Sequence, residues 1–324
     1  MRKYLNGSSV PLSMAVFLAT DNYDHEEDTI SATSLIKPIR QIVLSSRIPD
    51  EDQLVDITSL VKSRIGSAIH DSIEKSWIEN HVEALQSLGV PGRAVKRVVV
   101  NPLPGELTED CYPVYLEQRS YKEIEGFTIS GKFDFVSEGK VEDFKSTSVN
   151  TFLTRNKDHD YQLQGSIYRW LNPEIITQDT MAIQFIFTDW SAARVKADPN
   201  YPKRQVEHKD IPLLSVEETE AYIRNKLRQI KTYENAPEED LPLCNDKELW
   251  RTEPQFKYYK NPHKRNRSTK NFTNKIAAYN RLAEDGNVGI VVEVPGRAIA
   301  CKYCSAFPIC SQKDALIADG SLTV

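Results

Sequence analysis

Residues 131–145 read Gly131-Lys132-Phe133-Asp134-Phe135-Val136, then Ser137-Glu138-Gly139-Lys140, then Val141-Glu142-Asp143-Phe144-Lys145: an acid, eight residues, and an Asp-x-Lys triplet. Residues 128–136 and 140–146 alternate apolar and polar positions around a Ser-Glu-Gly turn, which predicts two antiparallel strands. Side chains alternate faces along a strand, so Asp143 and Lys145 share one side and Phe144 takes the other. With Asp134 projecting from the neighbouring strand onto that side, two carboxylates and an ammonium converge. Carboxylates are hard oxygen ligands suited to Mg²⁺ or Mn²⁺. Such an ion lowers the pKa of a bound water and neutralises charge building on phosphorus, while a nearby lysine orients or deprotonates that water. This is the chemistry of phosphodiester hydrolysis. Asp and Lys two apart on a strand face also occur as a plain solvated pair, so the triplet needs company.

That company lies on either side. Upstream, Ile65, Ile69, Ile73 and Trp77 recur every four residues and predict a helix over 61–90. His70 and Glu74 fall four apart on its adjacent face, behind a Gly66-x-x-x-His70 pattern. A lone acid, Glu117, sits in an extended stretch, and a helix over 158–171 carries Gln164 and Tyr168 four apart. Singly, each reads as an ordinary surface or core residue.

In order, Gly-x-x-x-His, the lone acid, Gly-x-x-Asp, Asp-x-Lys and Gln-x-x-x-Tyr resemble the RecB-like branch of the PD-(D/E)XK nuclease superfamily. That branch takes in CRISPR-associated nucleases of the Cas4 type and many bacteriophage exonucleases. The likeness runs from Gly66 to Trp170, with a weaker tail to Gln312. It implies that His70, Asp134, Asp143 and the Phe144 carbonyl ligate a divalent Mg²⁺ or Mn²⁺ ion and that Lys145 serves the attacking water. Gln164 and Tyr168 match the family's supporting, DNA-touching helix. Glu74 and Glu117 are weaker supporting candidates, with a purely structural role equally open. Asp143 stands where the family often has Glu.

A second cluster is Cys301-Lys302-Tyr303-Cys304, then Cys310 and Gln312. Closely spaced thiolates bind zinc or an iron–sulfur cluster. The spacing is similar to that of the C-terminal cysteines of CRISPR-associated and AddB-type nucleases, where an N-terminal cysteine completes a [4Fe-4S] cluster. Here Lys37 stands at that N-terminal position, and no cysteine precedes Cys111. The fourth ligand of a cluster is therefore unidentified, with Cys111 and Cys244 the remaining thiols. A zinc site and a metal-free remnant of small apolar thiols stay open.

The formal charge of −5 speaks to solubility rather than to a local site. Lys257, Lys260, Lys264, Arg265, Arg267 and Lys270 crowd one stretch among Phe256, Tyr258, Tyr259 and Phe272. That mixture suits contacts to a DNA backbone with bases stacking on rings; a solvated charged face is the plain alternative. Lys37, Arg40 and Arg47 form a second candidate phosphate-contact face. Five cysteines without framework spacing point to a reducing compartment, so a cytoplasmic location is expected, in a bacterial host cell if the chain is phage-encoded. No apolar run reaches membrane-spanning length, and residues 10–19 read as a short amphipathic element.

The expected architecture is α/β, a mixed central sheet flanked by helices in the manner of a restriction-endonuclease core. A helical region over 1–60 precedes a core over 61–235, and a basic, cysteine-bearing region over 236–324 packs on that core. Residues 236–240 read as an acidic linker. The expected function is a metal-dependent deoxyribonuclease, an exonuclease acting on linear or single-stranded DNA in replication, recombination or repair, with recombination or replication proteins as partners. The competing readings are a non-catalytic DNA-binding scaffold on the same fold and an interaction module built on the cysteines.

Overall fold

Two tight turns, Glu125-Gly126 (φ 52° and 83°) and Glu138-Gly139 (φ 51° and 77°), fold residues 112–147 into an antiparallel meander. Both central residues of each turn are left-handed, as a two-residue type I′ hairpin requires. A computed structural model describes residues 3–21, 28–49 and 54–323. The chain divides into two compact units, Met1–Ile36 with Asp50–Arg228, and Lys37–Pro49 with Gln229–Val324.

The first unit carries β1 (Lys3–Leu5), β2 (Thr29–Ser31), β3 (Leu54–Asp56), β4 (Val98–Val100), β5 (Tyr112–Ile124), β6 (Phe127–Ser137), β7 (Lys140–Thr147), β8 (Thr180–Phe187) and β9 (Val206–Pro212). Its main sheet runs β4-β5-β6-β7-β8-β9, with β2 paired to the far part of β6. Pairs β4/β5, β7/β8 and β2/β6 are parallel and the others antiparallel, so the sheet is mixed and the architecture α/β, as the sequence predicts.

The helix Asp158–Leu171 packs on this sheet through Leu163, Ile167 and Trp170, which are buried with Ile129, Phe133, Met181 and Phe185. Gly131 permits the approach: a Cβ there would stand 2.6 Å from Leu171 Cδ1 and 3.1 Å from Tyr168 Cδ1. Ser215 and Glu218 form a reciprocal capping box that opens the helix Val216–Tyr233.

The His70 helix spans Val61–Ser87 and buries no residue fully. Ile65, expected on its apolar stripe, is 42% exposed. The helix gives its inner face to Gly66 and His70 instead, and only Trp77 reaches the apolar cluster of Val114, Leu116 and Phe135. Residues 1–60, expected to be helical, also hold the short strands β1 to β3.

In the second unit β10 (Gln255–Tyr259) pairs antiparallel with β11 (Lys270–Phe272) and β12 (Ile290–Val294). Three sequence expectations change here. Phe256, Tyr258 and Tyr259 are buried, so these rings build the unit's core and offer no stacking surface. Arg40 is buried against Glu238, so it forms no part of a phosphate-contact face, while the exposed Arg47 donates to the carbonyls of Tyr233, Glu234 and Ala236. Glu238 is no linker residue, since its carboxylate also accepts from Ser311 N at 2.6 Å and Ser311 Oγ at 2.7 Å.

Candidate active site

The register set by the two turns lines up three acids. Counting back from the Ile124↔Phe127 pair puts Glu117 opposite Asp134, and one step past Phe135↔Glu142 puts Asp143 opposite Asp134. Both ladders fail at this row. Glu117 takes a left-handed φ of 50° inside β5, a costly conformation for a non-glycine residue. β6 and β7 part beyond Phe135↔Glu142, and Asp134 Oδ2 accepts the Phe144 N–H at 2.9 Å, so a carboxylate replaces the missing ladder acceptor. β7 meanwhile keeps pairing with β8 through Thr147. The site is the fork between two strands that the acid row holds apart.

The His70 helix brings its imidazole to the fork. His70 Nδ1 lies 3.4 Å from Asp134 Oδ1 and 3.6 Å from Glu117 Oε1, and Nε2 lies 3.0 Å from the Phe144 carbonyl. Burial would lower the His70 pKa, but hydrogen bonds and charge from Asp134 and Glu117 outweigh it and hold it up to about 10. A protonated imidazole thus faces the two acids. Glu117 Oε2 also pairs with Lys132 Nζ at 2.7 Å. Glu74, one turn along the helix from His70, is pushed up by partial burial and then by Glu117.

Across the fork, Asp143 is 1% exposed, and its Oδ1 accepts from Gln164 Nε2 at 2.9 Å. The same Gln164 nitrogen lies 2.8 Å from Tyr168 Oη, so the Gln-x-x-x-Tyr pair works as a brace for Asp143. Asp143 Oδ2 pairs with Lys145 Nζ at 2.6 Å. Burial pulls the Lys145 pKa down, yet Asp143 and Asp134 more than reverse this, and Lys145 stays an ammonium. For Asp143 burial dominates and raises the pKa against the pull of Lys145.

His70, Glu117, Asp134 and Lys145 floor a cleft of about 780 Å³, whose walls include Phe17, Lys62, Arg64, Ser67 and Arg119. Among the described residues, His70, Glu117 and Asp134 are the group of metal-ligating side chains whose ligand atoms all lie within 4.8 Å of one another. A divalent ion fits this set: the donors are hard oxygens and an imidazole.

No protein-family model matches the chain, and no curated protein matches it. Solved structures similar to the chain include the following two. One is the crystal structure of SSO0001, 16% identical over 74% of this chain and 98% of that one, with a TM-score of 0.41. The other is a phage-related exonuclease from Haemophilus somnus 129PT, 16% identical over 64% of this chain and 93% of that one, with a TM-score of 0.29. Neither likeness is close enough to carry a functional argument, which rests on the fork itself.

The remaining candidates lie in the second unit. Lys260, Lys264, Arg265, Arg267 and Lys270 are exposed on and beside the β10–β11 connection, and Lys257 is half-buried. Cys301, Cys304 and Cys310 are half-buried free thiols. The structure sets Glu117 beside His70 and Asp134 and adds Lys132, Arg119 and Lys62 around them, three cations that spacing alone does not mark. Counting residues out from Glu125-Gly126 finds Glu117, since a two-residue turn fixes which position faces Asp134. Among the described residues no helix is long and apolar enough to cross a membrane.

Proposed function

We propose that the chain is a Mg²⁺- or Mn²⁺-dependent deoxyribonuclease that hydrolyses phosphodiester bonds at DNA ends or in single strands. The observation that supports this is the fork: three acids in one cross-strand row, a histidine over them and a lysine beside them, on the floor of an open cleft.

His70, Glu117, Asp134, Asp143 and the Phe144 carbonyl are the groups that would hold the ion. When bound, it supplies charge neutralisation at phosphorus and a water of lowered pKa. To hold it, His70 would have to give up one of its ring protons. Gln164 and Tyr168 keep Asp143 turned toward the fork. Lys145, an ammonium rather than a free amine, orients the attacking water by donating to it and stabilises the negative charge that develops on the phosphoryl oxygens. Lys62, Arg64 and Arg119 on the cleft wall meet the flanking phosphates, and Phe17 at 39% exposure offers its ring to a base of a single strand.

The test is incubation of end-labelled linear DNA with Mg²⁺, with Mn²⁺ and with EDTA. Shortening that EDTA abolishes supports the proposal. DNA that stays intact in both metals while binding the protein would leave the scaffold reading in its place.

A further inference from the structure

The second unit brings a fourth thiol to the three C-terminal cysteines. Cys244, Cys301, Cys304 and Cys310 line one cavity of about 40 Å³, together with Arg40 and Gln312. Gln312 clamps Cys244 in place: its side chain accepts from Cys244 N at 2.9 Å and donates to Cys244 O at 2.9 Å. Arg40, 3% exposed, donates from Nε to Cys310 Sγ at 3.3 Å and from Nη2 to Ser311 Oγ at 3.0 Å. Cys111 belongs to the first unit, where its thiol lies 3.2 Å from Thr108 Oγ1.

We propose that Cys244, Cys301, Cys304 and Cys310 hold a [4Fe-4S] cluster, with Cys244 as the ligand that the sequence layout leaves unfilled. A polynuclear cluster suits this arrangement better than a single zinc ion. Tetrahedral Zn–S bonds draw the sulfurs to about 3.8 Å from one another. No three of these sulfurs lie within 4.8 Å, because the group that meets that limit among the described residues is His70, Glu117 and Asp134. The cavity is also larger than the roughly 10–15 Å³ that one water needs. A polynuclear cluster accounts for both the spread of the thiols and the space they enclose, and four thiolates are its usual ligand set.

The surroundings suit it as well. Leu249, Ala298, Leu316 and Leu322 form an apolar wall behind Cys244 and Cys301. The Arg40 N–H aimed at Cys310 is the kind of contact that sets a cluster's potential. In the families that the chain resembles, the fourth cysteine comes from the segment where Lys37 stands. Here the helix Ile39–Ser46 that follows Lys37 is fastened to the cysteine segment by hydrogen bonds instead, through Arg40 and through Ser45 Oγ at 2.6 Å from Ser305 Oγ. The tie between the two segments and the ligation of the cluster have become separate tasks.

The test is anaerobic reconstitution of the full chain with ferrous iron and sulfide, followed by iron and sulfide analysis, visible absorbance and electron paramagnetic resonance of the reduced sample. Wild type and Cys111→Ala should each take up about four irons and four sulfides. Cys244→Ser should lose the four-iron signal. Gln312→Ala, which leaves every thiol in place, should release iron to a chelator at least several-fold faster than wild type. Thermal unfolding of each variant without metal shows whether it is folded. Equal cluster content in Cys244→Ser and wild type would overturn the assignment of Cys244. Uptake of one zinc per chain without sulfide, or of no metal at all, would overturn the cluster.

Discussion

Lys145 Nζ pairs with Oδ2 of the buried Asp143 at 2.6 Å. The ammonium offsets the charge of a carboxylate that Gln164 holds from its other side, and it stands beside the place where the attacking water is needed. Replacing it should therefore damage chemistry more than binding. Lys145→Ala is expected to reduce turnover about 10²-fold or more, as loss of a positioned electrostatic group does, while DNA binding in Ca²⁺ is retained. Unchanged turnover in single-turnover assays would remove Lys145 from the mechanism.

Glu117 is the acid whose backbone is bent to reach the fork. Glu117→Gln keeps its shape and removes its charge, and Mn²⁺ affinity measured by calorimetry should fall about 10- to 100-fold. Glu74→Gln, one helical turn from the imidazole, should change it far less. Equal effects of the two substitutions would mean that the left-handed turn at Glu117 serves the sheet and not the ion.

The pH dependence follows from His70, whose pKa is raised from 6.5 to about 10 in the folded metal-free protein. A raised pKa stabilises the fold fully below 6.5, and this contribution is lost as pH rises through about 10. Metal binding runs the other way, because the ion must displace the imidazole proton. Melting temperatures in EDTA should thus fall from pH 6.5 toward pH 10, and Mn²⁺ affinity should rise over the same range. His70→Gln should flatten both trends; a wild-type affinity that falls with pH would contradict the assignment.

Gly131 tests the packing that supports the site. A methyl group there meets Leu171 at 2.6 Å and Tyr168 at 3.1 Å. Gly131→Ala should cost about 1–3 kcal/mol in denaturant unfolding, the usual penalty of overpacking. It should also slow cleavage, since Tyr168 braces Gln164 and through it Asp143.

Much of this was legible along the chain, for a local reason. The turn residues around Gly139 and the alternating pattern beside it place Asp134, Asp143 and Lys145 within one hairpin. The Ser215–Glu218 box and the helices of His70 and Gln164 were readable from spacing alone. What escaped depends on distant partners. Arg40 looks like an exposed helical charge until Glu238 and Ser311 meet it. Phe256, Tyr258 and Tyr259 look like stacking rings among lysines until the second unit folds and buries them. Cys244 is far from Cys301 in sequence, and it is Gln312 that fastens Cys244 to the C-terminal segment.

The exposed cations of the second unit remain candidates for backbone contacts. Neutralising Lys264, Arg265 and Arg267 together should weaken DNA binding and reduce the slope of log affinity against log salt by roughly two to three. An unaltered slope would leave them as a solvated surface.

The most direct measurement compares wild type with Asp143→Ala on linear and closed circular DNA, single- and double-stranded, in Mg²⁺, Mn²⁺ and EDTA. Metal-dependent degradation of the linear substrates by wild type, with intact circles and an inactive Asp143→Ala, is the predicted result. Cleavage that persists in Asp143→Ala, or a wild type that binds DNA and cuts it in neither metal, would contradict the account.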